Sequence, residues 1–271
     1  MRHHKVSRVP RIAASILMAV ACAAAMAPRQ SAEPPSPLAE AFERGETLDF
    51  NLSYFKVVGG SARMTISPLP GDPGKLRITS VAQSSGAFAR FFQVRDEIQS
   101  VVVRATLSAL HYHKKLDERG RRRDEITVVD EARHIATRND EEIVITTPVF
   151  DPLSLVYQLR RLDLSPGRTH RLTVLSDGKV FPVDSAVTRR ETVTTDAGTF
   201  KTVVVEPRMN GGGLFGDGNK RLVIWYSDDE RRLPVRIRSD VKVGTITATL
   251  RAVSSGVAGI DAPAETTTSR Q

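Results

Sequence analysis

Leu48-Asp49-Phe50-Asn51-Leu52-Ser53-Tyr54 decides the fold. Apolar and polar residues alternate along it. A period of two is that of a strand with one face on a core and the other in water. Ser61 to Ser67 continues as a second strand after Gly59-Gly60, so the two read as a hairpin with its tight turn at the glycines. Near the other end Val235, Ile237, Val241 and Val243 share one parity, and Ile246, Ala248, Leu250 and Ala252 share the other. Gly244 stands near the turn between them. Further strands are expected at 75–83, 94–103, 109–116, 122–130, 133–138, 142–146, 169–175, 179–190, 199–206 and 219–227. Many strands at this spacing predict an antiparallel all-β sheet, sandwich or barrel.

One stretch breaks the period. Leu153, Val156, Tyr157 and Arg160 recur at helical spacing, and Leu155, Leu159 and Leu162 widen the apolar stripe. Asp151 can cap the first free N–H groups, Pro152 suits the first turn, and Ser165-Pro166-Gly167 ends the run. A helix over about 151–163 is expected to pack on the sheet, plugging one end or covering the concave face. Gly86 to Gln93 is a second, weaker helical candidate.

Outward from this domain the chain changes character. Met1 to Arg11 carries Arg2, Lys5, Arg8 and Arg11 with no acid, and Ile12 to Ala27 has no charge. A basic head, a short apolar stretch and small residues make residues 1–27 a secretory signal peptide. The stretch falls short of the roughly 20 apolar residues of a membrane span, so no span is expected in the mature form. Residues 28–40 read as a Pro-rich linker, 41–253 as one β domain and 254–271 as a disordered tail. Residues 1–32 hold five of the 39 bases and none of the 31 acids, which leaves 34 bases against 31 acids. So small an excess gives no field for steering toward a polyanion, and nucleic acid is not an expected partner.

The single cysteine, Cys22, also lies in the leader. Cleavage after it leaves no thiol for a disulfide, a zinc site or a nucleophile. Two readings stay open. Ala19-Val20-Ala21-Cys22 resembles a lipobox, which would make Cys22 a lipidated N-terminus anchored to a membrane. Cleavage at a downstream site, near Ala25 to Ala32, would release a periplasmic protein.

At the helix the sequence resembles a known family. Phe150-Asp151-Pro152-Leu153-Ser154-Leu155-Val156-Tyr157-Gln158-Leu159-Arg160, with Leu164 and Gly167, is similar to the DUF3108 family of exported bacterial proteins. Gly45 to Phe50, Gly59-Gly60-Ser61-Ala62, Thr195 to Thr202, Ile224 to Asp229, Arg232-Leu233-Pro234-Val235 and Gly244 agree with it in order. The resemblance runs from about Glu43 to Arg251. It implies a mostly antiparallel β-protein whose curved sheet partly wraps a helix, similar in outline to the half-barrels of periplasmic lipoprotein carriers. The family's function is unknown, and no catalytic residue comes with it.

The residues offer little chemistry of their own. His111 and His113 would share the wet face of a strand with Lys114, Lys115 and Asp117, and no metal-binding spacing supports them. No Gly-x-Ser-x-Gly elbow is present. The glycines from Gly211 to Gly218 lack the Lys-Ser/Thr ending and following helix of a phosphate loop. Arg119 to Arg123 reads as a solvated hairpin tip, with anionic headgroups as the sharper reading. Asp228-Asp229 reads as a turn. We expect no catalytic residue, metal or cofactor. The expectation is a non-enzymatic envelope protein that binds a lipid or other amphiphile. Leu153, Val156, Tyr157, Arg160, Leu214, Phe215 and Trp225 would border the pocket, with Leu214-Phe215 as a flap. An assembly factor binding another envelope protein, or a periplasmic hydrolase built on a histidine, are the alternatives.

Overall fold

Fourteen strands form one antiparallel sheet in the computed structural model, which describes residues 36–91, 93–118, 120–209, 221–240 and 244–256. The first half holds β1 (Glu46–Tyr54), β2 (Val57–Leu69), β3 (Asp72–Ser84), β4 (Val94–Val103), β5 (Ala109–Glu118), β6 (Arg121–Asp130), β7 (Ile135–Arg138) and β8 (Glu141–Val144). The second half holds β9 (Thr169–Ser176), β10 (Lys179–Thr195), β11 (Gly198–Met209), β12 (Leu222–Ser227), β13 (Pro234–Asp240) and β14 (Thr245–Ser255). Three helices accompany them: α1 (Pro37–Arg44), α2 (Gly86–Phe91) and α3 (Pro152–Leu159). The signal segment with Cys22, the Leu214-Phe215 flap and the tail beyond Gly256 lie outside the described residues.

The order across the sheet is β8-β7-β6-β5-β4-β3-β2-β1-β14-β13-β12-β11-β10-β9. The first and last strands therefore meet in the middle. Each connection joins neighbours except that from β8 to β9, which carries α3 between the two edges. A twisted sheet this wide curls on itself. No ladder joins β8 to β9, so the barrel is open. The segment after β8 still stitches its walls. Ala109 of β5 donates to the Val149 carbonyl at 2.8 Å. Phe150 donates to Thr173 at 2.9 Å, and Leu175 of β9 donates back to Phe150 at 2.8 Å.

The alternation read from the sequence sets the core. Leu48, Phe50, Met64, Ile66, Leu76, Ile78 and Val102 face inward and are buried with α3. Full burial of such a side chain is worth about 1.5–3 kcal/mol, so this one face supplies much of the stability. A smaller cluster of Val129, Ala136, Ile145, Val149 and Leu175 packs β6 and β7 against β9.

Turns and element ends depart from the sequence reading. The β1–β2 turn lies at Phe55-Lys56, with φ of 48° and 68°, and not at Gly59-Gly60, which are inside β2. Gly60 is needed for close approach, since a Cβ there would sit 2.4 Å from the Gln83 carbonyl oxygen of β3. Helix α1 begins at Pro37, inside the stretch expected to be linker; Ser36 caps it, and Phe42 is buried. Helix α3 stops at Leu159, a turn short of the expected end, and only two further turn-like hydrogen bonds follow. Strand β14 runs through Ser255, into the expected tail.

Candidate functional site

Antiparallel succession puts the β1–β2, β5–β6, β7–β8 and β9–β10 turns at one end of the sheet and α1 and α3 toward the other. The second end is plugged. Asp151 Oδ1 accepts from Leu153 N at 2.8 Å and Ser154 N at 2.9 Å, and Ser154 Oγ accepts from Asp151 N at 2.9 Å. This reciprocal cap fixes where α3 starts. Ser100 of β4 donates to the other Asp151 oxygen at 2.5 Å, tying the cap to the sheet. Burial pushes the Asp151 carboxyl up, against the pull of those donors. Tyr226 of β12 donates to the Val156 carbonyl at 2.8 Å. Arg160, only 1% exposed, donates to both Glu46 carboxylate oxygens at 2.6 and 2.9 Å and to the Arg231 carbonyl at 2.9 Å. Its guanidinium also lies over the rings of Phe42 and Tyr157, at 5.6 and 5.4 Å.

These contacts decide how the expected pocket residues are used. Leu153, Val156, Tyr157 and Arg160 are buried and hold the helix in the sheet. Trp225 lies on the convex side, opposite in parity to the inward Tyr226. Its indole N–H donates to Glu191, and Arg236 and Arg238 stack over it at 5.7 and 5.6 Å. Five of the seven candidates are thus packed, and Leu214 and Phe215 are outside the described residues.

A polar seam closes the side of the barrel where β9 leans on β5–β7. Lys114, buried, bonds Asp177 at 2.5 Å and Glu125 at 3.1 Å, and Arg138 bonds the other Glu125 oxygen at 3.1 Å. Burial opposes the Glu125 charge, yet Lys114 and Arg138 outweigh it and hold the carboxyl below its ordinary value. Burial, then the Asp151, Asp177 and Glu125 charges, raise the Tyr112 phenol well above its ordinary value. Tyr112, Thr127, Asp151 and Ser176 help line a cleft there with room for about one water. The seam is a latch: each charge faces an opposite one. Its lysine corrects an expectation, because Lys114 faces inward. Alternation from Tyr112 would have placed it there.

Above the plug the concave face opens. One row runs Val205–Ile224–Ile237–Ala248–Leu52–Gly60–Ser84 across seven strands. Ile224 is fully buried, but Leu52, Ile237 and Ala248 are only partly covered. Ala62 on β2 and Ile98 on β4 are likewise half-buried against the core. Partly covered apolar side chains on an inward face are the lining a long-chain ligand would need. The sequence reading missed these residues, although they lie on the inward parity of their strands. Periodicity assigns a face but not how far the covering helix reaches.

The remaining candidates sit elsewhere. His113 pairs with Asp124 at 2.6 Å on the convex face, and its ring stands 6.3 Å from that of His111. His170 bonds the Asp163 carbonyl. Among the described residues no three His, Cys, Asp or Glu side chains cluster as metal ligands. Asp229 accepts from Ser227 Oγ and from the backbone of Arg231 and Arg232, which makes it the turn residue expected.

The family profile of DUF3108, a protein of unknown function, matches residues 48–251. The chain belongs to the DUF3108 family. Its fold is similar to that of a β-barrel-like protein of the DUF1849 family from Brucella abortus. That crystal structure shares 8% identity and a TM-score of 0.54, over 79% of this chain and 98% of its own. A candidate lipoprotein from Parabacteroides distasonis aligns at 14% identity and a TM-score of 0.35, over 79% and 96%. A candidate exported protein with a YmcC-like fold from Bacteroides fragilis aligns at 10% and 0.30, over 79% and 97%. Among curated proteins none matches the chain in sequence. Among the described residues of the DUF3108 domain no helix is long and apolar enough to cross a membrane.

Proposed function

We propose that this DUF3108 protein is an exported, non-enzymatic envelope protein that holds an apolar or amphiphilic, lipid-like ligand at the mouth of its curved sheet. One observation carries the reading: Leu52, Ala62, Ile98, Ile237 and Ala248 leave a half-covered apolar strip on the concave face. Helix α3 fills the sheet below the strip, so the ligand's chain lies above the helix and its head group reaches the rim. The leader argues for a periplasmic location, with anchorage through Cys22 as the alternative.

The test is binding of cis-parinaric acid, a fluorescent fatty acid, to the purified mature protein. Saturable binding that Ala248→Trp abolishes, with an unchanged melting temperature, supports the reading. Equal binding by both proteins, or none by either, removes it. An assembly role draws on one specific feature, the four-residue edge strand β8 with Val144 83% exposed. It predicts a cross-link from position 144 to another envelope protein.

A further inference from the structure

Phe55, Val57, Val58 and Ile246 form an exposed apolar patch at the open end, with exposures of 63, 64, 62 and 40%. They share one hairpin end: Val57 and Ile246 flank Tyr54 on one face, and Val58, paired with Ser53, points from the other. The outer edge of the Phe55 ring sits against Gly244, where an added Cβ would come within 2.5 Å of its Cζ, so one ring joins the two turns. Phe55 and Lys56 both take left-handed backbone, a conformation glycine or asparagine adopts more easily. A bulky side chain is thus held outward at a position where a small one would cost less.

The described charges beside the patch are mainly basic, with Asp240 at the β13–β14 turn the exception. Residues 53–61, 84–93 and 244–250 contain Lys56 and Arg90 and no acid. Arg121 and Arg122 stand exposed at the next hairpin of the same end, with Arg122 on Asp117 at 3.2 Å. An apolar tip with lysine and arginine beside it suits a lipid bilayer with anionic headgroups. The apolar side chains enter the interface while the cations stay at the phosphates.

We propose that this hairpin tip docks the protein on an anionic phospholipid surface. The docking does not rest on the mouth holding a ligand. Flotation of the mature protein with phosphatidylglycerol-containing and with pure phosphatidylcholine vesicles tests it. The wild type is expected to float with the anionic vesicles, F55S/V57S/V58S to bind about tenfold or more weakly, and Lys56→Glu to lose only the anionic preference. Ala248→Trp, which blocks the mouth, should float as the wild type does. Unaltered melting of each variant rules out misfolding. The proposal is overturned if the wild type does not float. It is overturned equally if the triple variant floats as well, or if the triple substitution merely converts a wild-type dimer to a monomer.

Discussion

Arg160 and Glu46 face each other inside the fold through two hydrogen bonds of 2.6 and 2.9 Å, one residue at the end of α3 and the other at the start of β1. The pair pins the helix to the middle of the sheet, because β1 is the strand on which the two halves meet. Removing one partner leaves a buried charge uncompensated, which costs about 3–5 kcal/mol. Arg160→Met should therefore lower the urea midpoint sharply, and Glu46→Gln should do the same. The double variant Glu46→Leu/Arg160→Met should recover much of the loss, since burying two charges is itself expensive. A double variant worse than both single ones would show that the pair contributes more than mutual compensation.

The seam predicts acid sensitivity at one place. Lys114 and Arg138 hold the Glu125 carboxyl below its ordinary 4.5. The folded state thus binds fewer protons than the unfolded one as pH falls. The stabilisation is fully present above pH 4.5 and is lost as pH drops through the lowered folded value. Amide exchange at residues 176–180 should accelerate over that acid range before exchange in β1–β3 does. Glu125→Gln should make the turn open at neutral pH and remove the dependence. Uniform acid exchange across all strands would contradict the latch.

Much of this was legible in the sequence, and the misses have physical causes. Alternation at Leu48, Phe50 and Leu52 placed β1 and its buried face. The Asp151-Pro152 start of α3 was read from capping chemistry alone. The first helix was missed although Ser36-Pro37 carries the same signal, because the proline-rich context suggested a tether. The glycines at 59 and 60 looked like a turn, whereas Gly60 serves the approach of β2 to β3. The ion pairs Arg160–Glu46 and Lys114–Asp177 join residues far apart in the chain, and no local pattern announces such partners. Arg160 was read as a pocket residue for that reason.

Gly60 gives a direct check of strand packing. A Cβ there would stand 2.4 Å from the Gln83 carbonyl oxygen, and the obstacle is backbone. Gly60→Ala should cost about 1–3 kcal/mol by forcing the β2–β3 ladder apart. The measurement is the denaturation midpoint, with amide exchange at Ser84 and Ser85 rising. An unchanged midpoint would mean that the ladder is looser than described.

Trp225, the only tryptophan in the chain, reports on the convex face. It is 4% exposed because Arg236 and Arg238 cover its ring. Replacing both arginines with alanine should red-shift its emission and raise acrylamide quenching. The lost cation–π contacts should cost about 1–2 kcal/mol together. Emission that keeps its wavelength would place other groups over the ring.

The ligand site proposed at the mouth is tested most directly by locating a heavy atom in it. Crystals of the mature protein grown with 12-bromododecanoic acid, measured at the bromine edge, would give the ligand's position. The account predicts an anomalous peak on the concave side against Ile98, Ile237 and Ala248, with Arg160 and α3 unmoved. Bromine found only on the convex surface, or none with the strip closed by protein side chains, would contradict it.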